Sequence, residues 1–420
     1  MRIASVLIPA PAIACQARSN RNTPVNSPIS NPPQPVSSRT RKVALLIETS
    51  NAFARGLLAG IVGYIRTDGN WNVYLSEHGR GDRLPDWLKG WDGDGIIARV
   101  ENHAIASALA DLTIPVVDLS SHRLLPQIPT VTTDNVAIAK LAWQHFFERG
   151  FQRFAFCGDA RFPWSIARGE SFSRLVREAG YVCENYAPDQ GLDVGGDPET
   201  DSIARWLGKL PLPCAVFACY DARGQQVLAA CRRAGLAVPE QVAVLGVDND
   251  ELICDLSPPP LSSVAPNTHR AGWIAAELLA KLMSGEKVSA GVQFVEPVGI
   301  VKRQSTDTRA VDDPKIAGAL RYIREHACEG ICVNDVLAHF PMERDTLEQR
   351  MKAIIGRSPD EEILRLQLNR AREVLSESSL MLAEVAERCG FKHPEHLTEA
   401  FKRDTGLSPD QYRKTYGRKR

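Results

Sequence analysis

No stretch of the 420-residue sequence approaches the ~20 consecutive apolar residues of a membrane-spanning helix, so no membrane partner is expected. Net charge is missing too. Fifty Lys and Arg balance 50 Asp and Glu, and bulk charge therefore gives no sign of a nucleic-acid partner. The ten cysteines form no CxxC pair and no Cys/His cluster, which removes the usual metal spacings and any disulfide framework. Cys157, Cys214 and Cys219 fall in apolar, strand-like runs, where buried free thiols and a reducing cytoplasm are the plain reading. There is no nucleophile elbow and no phosphate loop; Gly79-Arg-Gly-Asp82 and Gly158-Asp-Ala160 are ordinary glycine turns. Neither catalysis nor a cofactor nor a metal is expected. What remains, 44% hydrophobic and 24% charged, is soluble globular material long enough for two or three domains.

The sequence does contain one pattern written twice. Val333, Val336, Leu337 and Phe340 recur at the spacing of a helix with one apolar face, and Leu382, Val385, Ala386 and Cys389 repeat it. Each copy resumes after a short break with an apolar pair four apart, Leu347/Met351 and Leu397/Phe401. Each closes on Gly-x-Ser-Pro-Asp, at Gly356–Asp360 and Gly406–Asp410. The glycine suits the left-handed end of one helix and Ser-Pro the start of the next. This predicts a tandem helix-turn-helix. A longer helix from about Glu361 to Leu375, marked by Leu364, Leu368, Ala371 and Leu375, is expected to fix the two units in one frame.

Leu347-Glu-Gln-Arg-Met-Lys352, Asn369-Arg-Ala-Arg-Glu-Val-Leu375, Ala386-Glu-Arg-Cys-Gly-Phe391 and the run from Phe401 to Arg413 together resemble the DNA-binding domain of AraC/XylS-type regulators. The resemblance spans roughly the last hundred residues and implies double-stranded DNA as a partner. From Lys315 onward nineteen Lys and Arg stand against seventeen Asp and Glu. The electrostatic case therefore rests on placement, including Arg413, Lys414, Arg418, Lys419 and Arg420 at the end.

Residues 1–40 read as a disordered tail, with Pro, Ser and Asn dominating from Arg18 to Ser38. Arg2, a short apolar run from Ile3, and Ala12-Ile-Ala-Cys15 look like a weak secretion signal. Pro9 and Pro11 interrupt it, and a cytoplasmic protein is expected. From Lys42 the texture changes. Strand-like runs at Val43–Ile47, Trp71–Leu75, Gly95–Ala98 and Ile114–Asp118 alternate with helices at 52–67 and 103–112. After Asp134-Asn135 a second series begins, with strands at Phe154–Cys157, Cys214–Ala218, Val242–Val247 and Ser262–Val264. Its helices are expected over 136–149, 166–180, 203–210, 222–235 and 269–284. Such alternation means doubly wound parallel sheets, here in two lobes.

Thr49-Ser-Asn-Ala-Phe53, Thr133-Asp-Asn135, Ala218-Cys-Tyr-Asp221 and Val244-Leu-Gly-Val-Asp-Asn249 resemble the effector domain of LacI/GalR-type regulators and periplasmic sugar-binding proteins. The expected fold is thus an α/β, two-lobed, periplasmic-binding-protein-like domain followed by an all-α tandem helix-turn-helix domain. The divisions fall at 1–40 for the tail, 41–303 for the sugar-binding domain, 304–314 for a linker and 315–420 for the DNA-binding domain. This combination and order is similar to the xylose-operon activators of bacteria. The resemblance implies a sugar effector, D-xylose, a homodimer, and RNA polymerase as a further contact. Nothing in the residues themselves separates a pentose from a hexose.

Sugar recognition needs polar groups that pair with vicinal hydroxyls and an apolar face for the ring. In open α/β sheets these gather beyond the C-terminal ends of the strands. The residues placed there are Ser50, Asn51, Asp118, Asp134, Trp164, Arg168, Asp221, Asp248 and Asn249. Helix capping is the plainer role open to the acids, Asp221 above all, and core packing to Trp164. In the DNA module the second helix of each unit is expected in the major groove. The first presents Arg344 for guanine, Gln349 for adenine, and Thr346 and Arg350; the second presents Lys392, His393, His396 and Thr398. Lys352, Lys402 and Arg403 are expected on phosphates, and Glu343 and Glu395 as helix caps. The resulting reading is a sugar-responsive, sequence-specific transcription regulator of the activating kind. The alternative is a sugar-binding protein of a transport system with an interaction bundle at its C-terminus.

Overall fold

The computed structural model describes residues 39–68, 70–79, 85–187 and 197–417. The tail and signal-like run expected within 1–40, most of the turn at 79–82, and Arg418, Lys419 and Arg420 lie outside the described residues.

Two six-stranded sheets form the two lobes. The first contains β1 (Arg41–Leu46), β2 (Trp71–Leu75), β3 (Gly95–Ala98), β4 (Val116–Asp118), β5 (Thr130–Thr133) and β11 (Val292–Val295). All are parallel, in the order β11-β5-β4-β3-β1-β2. The second contains β6 (Phe154–Cys157), β7 (Cys183–Asn185), β8 (Cys214–Ala218), β9 (Val242–Val247), β10 (Ser262–Ala265) and β12 (Gly299–Val301), in the order β12-β10-β9-β8-β6-β7. It departs from the all-parallel expectation at one edge, where β12 runs antiparallel to β10. Helices α1 (Ala52–Thr67), α2 (His103–Ala110) and α8 (Thr268–Met283) cover the first sheet. The second carries α3 (Asn135–Phe147), α4 (Pro163–Glu178), α5 (Asp197–Leu207), α6 (Asp221–Arg233) and α7 (Glu251–Leu256).

The central strands are uninterrupted apolar runs because both of their faces are covered. Val43, Leu45 and Ile47 pack under α1 and α8, while Ala44 and Leu46 pack on the opposite side with Ile96 and Leu109. In the second lobe Phe154, Phe156 and Phe217 take one face, and Ala155, Cys157 and Val216 the other. Cys157, Cys214 and Cys219 are buried free thiols, as read from their apolar surroundings.

The chain crosses between the sheets three times: from β5 into α3, from β10 into α8, and from β11 into β12. Neither β5 nor β11 was anticipated, whereas the helix expected over 269–284 does bring the chain back, as α8 on the first lobe. The α1–α8 pair seals that lobe at backbone contact. A Cβ on Gly60 would lie 2.0 Å from the His269 carbonyl oxygen, and one on Gly272 would lie 2.0 Å from that of Leu57.

The DNA module follows with α9 (Pro314–His326), α10 (Val333–His339), α11 (Arg344–Ile355), α12 (Pro359–Glu377), α13 (Leu382–Arg388), α14 (Pro394–Thr405) and α15 (Pro409–Tyr416). The duplicated stripes become two separate cores. Val333, Val336, Leu347 and Met351 pack on α9, and Val385, Ala386, Cys389, Leu397 and Phe401 on α12. Gly356 (φ 74°) and Gly406 (φ 75°) end α11 and α14 in the left-handed region. Ser358 and Ser408 then cap α12 and α15, each in a reciprocal pair with Glu361 or Gln411. Buried Gln367 on α12 donates to the Ala327 carbonyl (2.9 Å) and the Gly390 carbonyl (3.3 Å), tying the turns of both units to one helix.

The stretch read as a linker is packed against the second lobe. Gln304–Thr306 forms a 3-10 turn with Ser305 and Thr306 buried. Ser305 Oγ donates to the Val244 carbonyl on β9 (2.6 Å), and Thr306 Oγ1 meets both Ser262 Oγ (2.8 Å) and His145 Nε2 (2.9 Å). Beyond it Arg324 on α9 pairs with fully buried Glu240 and donates to the Val238 carbonyl (3.0 Å).

Candidate functional site

Strand ends from both sheets converge on one cavity, as the geometry of parallel sheets requires. Phe53 at the start of α1, Arg99 and Glu101 after β3, Ser121 after β4, and Thr132 and Thr133 on β5 line it from the first lobe. Trp164 and Arg168 on α4 and Asp248 after β9 line it from the second. Its free volume is about 30 Å³, roughly the share of one water molecule. It is too small for a monosaccharide unless the lobes or these side chains move.

The cavity is walled by charge. Arg99, 5% exposed, donates through Nη1 to both oxygens of Glu48 (3.0 and 2.9 Å) and through Nη2 to Glu101 (2.5 Å). Its guanidinium lies 5.1 Å from the Phe53 ring centre. Burial opposes the charge, but Glu101 and Glu48, with Asp248 behind them, outweigh it and hold the Arg99 pKa above its ordinary value. Arg168, 3% exposed, donates through Nε and Nη2 to Asn135 Oδ1 (3.2 and 3.0 Å) and through Nη1 to the Cys219 carbonyl. Burial holds its pKa below the ordinary range, opposed by Asp248. The Asp248 carboxylate thus acts on one guanidinium from each lobe. Trp164 lies beneath Arg168 at 5.3 Å and stacks on Phe162 at 5.0 Å. It belongs to α4 because Pro163 starts that helix, three residues earlier than Ile166 was expected to.

Of the nine sequence candidates, Trp164, Arg168 and Asp248 line this cavity. Asn51 and Asp134 are N-caps, accepting from the Ala54 amide and from the Val136 and Ala137 amides, and Ser50 is exposed just before α1. Asp118 is fully buried and accepts from the Val100 and Ser120 amides and the Ser120 hydroxyl (3.1, 2.8 and 2.9 Å). Burial pushes its pKa up to about 6. Asp221 does not cap α6: Tyr220 is the N-cap residue, and no side chain bonds the helix start. Asp221 accepts from the Ser263 hydroxyl (2.6 Å) and the Asp250 amide (2.7 Å), and burial, then the Asp248 charge, push it up to about 8. Asn249 is not part of the cavity's lining, and its side-chain oxygen accepts from Arg303. Sequence reasoning missed Arg99 and Glu101, although they follow β3 as directly as Asp248 follows β9.

A larger cavity of about 470 Å³ opens on the other side of α4. Its buried charges, Arg223 with Asp159 and Glu199, pair with one another, and its lining comes from the second lobe alone. Lobe movement would not act on it.

In the DNA module Arg344, Gln349, Arg350 and Lys352 are exposed along α11, with Thr346 half-buried. Arg344 is tied back to Glu348 (3.0 Å) and Asp360 (3.1 Å), and Arg350 to Asp313. Glu343 is the N-cap residue of α11 but makes no side-chain cap bond, and the same holds for His393 before α14. Lys392, His393, His396, Lys402 and Arg403 are exposed around α14, while Thr398 donates to the Pro394 carbonyl (2.9 Å).

Known proteins match most of this chain. The XylR N-terminal domain matches residues 42–136, the periplasmic binding protein-like domain 143–306, and the helix-turn-helix domain 336–415. The chain is 34% identical over 391 residues to the xylose operon regulatory protein of Escherichia coli, covering 90% of this chain and 97% of that one. It is 32% identical over 387 residues to that of Haemophilus influenzae, covering 89% and 98%. A solved structure of the xylose-binding transcription activator xylR superposes with a TM-score of 0.77 at 31% identity, covering 91% of this chain and all of the other. The CelR–cellobiose complex (TM-score 0.51, 23% identity, covering 64% of this chain and 85% of that one) shares the sensor fold. Because the regulators match through the DNA module as well, the transport-protein alternative is not favoured. No described helix is long and apolar enough to cross a membrane. The chain belongs to the family of xylose operon regulatory proteins and is a sugar-responsive, DNA-binding transcription regulator.

Proposed function

We propose that D-xylose is the effector, that it binds between the lobes, and that the chain acts in the cytoplasm as a homodimeric activator that engages RNA polymerase. The observation supporting the site is the convergence of Arg99 and Glu101 from one lobe with Arg168, Asp248 and the Trp164 ring from the other. Hydroxyl-pairing groups and a stacking face on two movable walls are what a closing sugar cleft requires. In this reading Asn51, Asp118, Asp134, Asp221 and Asn249 shape the loops around the sugar, with Ser50 at the rim. A thermal-shift screen of pentoses and hexoses tests it, since a ligand that binds the folded state raises the melting point. D-xylose is expected to give the largest rise. A larger rise with a hexose would reassign the effector.

We also propose that the sensor and DNA module divide within 304–314, and that α11 and α14 read adjacent major-groove faces about 10 bp apart. Arg344 and Gln349 read bases, with Thr346, Arg350, Lys392, His393, His396 and Thr398 around them; Lys352, Lys402 and Arg403 hold phosphates. The exposed pairs of Arg344 with Glu348 and Asp360 contribute little and yield readily to a base edge. Arg344→Ala is expected to weaken a selected site roughly ten- to a hundredfold and relax one base position. Lys402→Ala should weaken all sequences alike and lower the salt slope by about one. Salt titrations on selected and scrambled DNA measure both. Equal weakening of the two DNAs by Arg344→Ala would remove it from base reading.

A further inference from the structure

The end of β9 holds two consecutive non-glycine residues at positive φ, Asp248 at 108° and Asn249 at 48°. Such residues persist only where their surroundings hold them. Asp248 lines the interlobe cavity. The Asn249 amide nitrogen donates to Ser263 Oγ (3.0 Å), and its side-chain oxygen accepts from Arg303 Nη1 (2.9 Å).

Arg303 spans more than that bond. Its Nη1 also reaches the Leu261 carbonyl (3.2 Å), its Nε donates to Asp255 on α7 (2.7 Å), and its side chain is 13% exposed. Its backbone is locked to β10, donating to and accepting from Ser262 Oγ at 2.8 and 2.9 Å. Four residues on, Asp307 pairs with Arg365 of α12 (3.0 Å), the helix that frames both DNA-reading units. A short run of fixed groups therefore leads from a cavity-lining carboxylate to the DNA module.

We propose that Arg303 is a positioning residue that couples the interlobe cavity to the DNA module, gripping the Asp248–Asn249 turn with its guanidinium and carrying its displacement along Gln304–Asp307 to Arg365. This rests on the reading that the effector binds at Asp248. A sugar that pulls Asp248 moves Asn249 through their shared peptide, and Arg303 has three partners at that corner with which to follow. The pairing of Arg324 with Glu240 is a separate attachment of α9 to the second lobe, away from the cavity. Loss of the Arg303 grip therefore leaves the module docked but deaf to the sugar.

The test compares full-length native chain with Arg303→Met and Arg303→Lys. Three quantities are read: the melting-point rise with the sugar that stabilises the native chain in the screen, D-xylose first; the affinity for a DNA site selected from a random pool; and the ratio of that affinity with and without sugar. For Arg303→Met the melting rise and the sugar-free DNA affinity are expected to stay within about twofold of native, while the ratio falls about fivefold or more. Arg303→Lys, which keeps the charge without the fork, should recover part of it. If Arg303→Met does not fold, Arg365→Met, at the other end of the run, carries the same expectation. A native ratio in the variant overturns the proposal, as does a joint fall of sugar binding and sugar-free DNA binding, which marks a merely structural role. A native chain that no sugar stabilises, or one whose response survives Asp248→Asn, overturns the effector-site reading and this inference with it. A native chain that responds through Asp248 while Arg303→Met responds equally overturns this inference alone.

Discussion

Asp248→Asn is expected to abolish the sugar-induced rise in melting point. Asparagine keeps the shape of the side chain and tolerates positive φ, so the turn at 248–249 survives and only the charge is lost. That charge faces Arg99 from one lobe and Arg168 from the other. Hydrogen bonds from sugar hydroxyls to a carboxylate are about twice as strong as those to an amide. Losing them weakens binding about ten- to a hundredfold, and at a sugar concentration near the native Kd the stabilisation then vanishes.

The pH dependence gives an independent reading. The Asp221 pKa is raised from 3.8 to about 8, first by burial and then by Asp248. The stability it contributes is fully present below 3.8 and is lost as pH rises through about 8. Removing the Asp248 charge lowers that folded pKa, so the sugar-free variant should lose less stability between pH 6 and 8 than the native chain. Calorimetry at several pH values, with and without sugar, measures both effects. An undiminished sugar response would exclude Asp248 from the site.

Gly272→Ala is expected to be the most destabilising small substitution in the sensor. The added carbon would sit 2.0 Å from the Leu57 carbonyl oxygen, a backbone atom that cannot rotate away. The α1–α8 pair has to separate, and with it the packing of Leu57, Ile61, Ala275 and Leu279 under the first sheet. Overpacking of this kind costs about 3 kcal/mol, or a fall in melting point of roughly 6–12 °C for a unit of this size. Gly63→Ala is the control: its new carbon meets only side chains, the Trp273 ring at 3.3 Å and His269 Nε2 at 3.4 Å, and side chains give way more cheaply. Thermal unfolding compares the two. A Gly272→Ala melting point equal to that of Gly63→Ala would mean that the helix crossing is looser than described.

The architecture was legible where physics acts locally. Strands buried on both faces read as unbroken apolar runs, and β3, β6, β8 and β9 stand at the residues expected of them, as does the exposed edge strand β2. The duplicated stripes, the terminal glycines and the Ser-Pro caps likewise depend on neighbours a few residues away. The edge strands β7 and β11 were missed for the converse reason. Cys183-Glu-Asn185 is short and its last two residues are exposed, and Val292–Val295 is half-covered, so neither shows an apolar run. The close fit of α8 rests on glycine contacts with α1 about two hundred residues earlier, which no local pattern encodes. At the cavity, placement after strand ends pointed to Asp248, Trp164 and Arg168. Arg99 escaped because a buried guanidinium is tolerable only with partners such as Glu48 and Glu101, and those become visible only in three dimensions. The tethering of Arg344 to Asp360, from the following helix, was hidden for the same reason.

The three crossings between the sheets have a consequence for synthesis. Chains emerge from the ribosome N-terminus first, and domains fold as units as they appear. The first lobe cannot close before α8 and β11 are made, and the second gains its last strand, β12, only at Gly299–Val301. Both lobes are therefore completed within a few residues of each other, before the first DNA-contacting helix exists. A chain whose translation stops early is at most a sugar sensor with nothing to present. With the order of modules reversed, the same accident would release a DNA-binding fragment that ignores sugar. In this arrangement the sensor is always finished before there is anything for it to control.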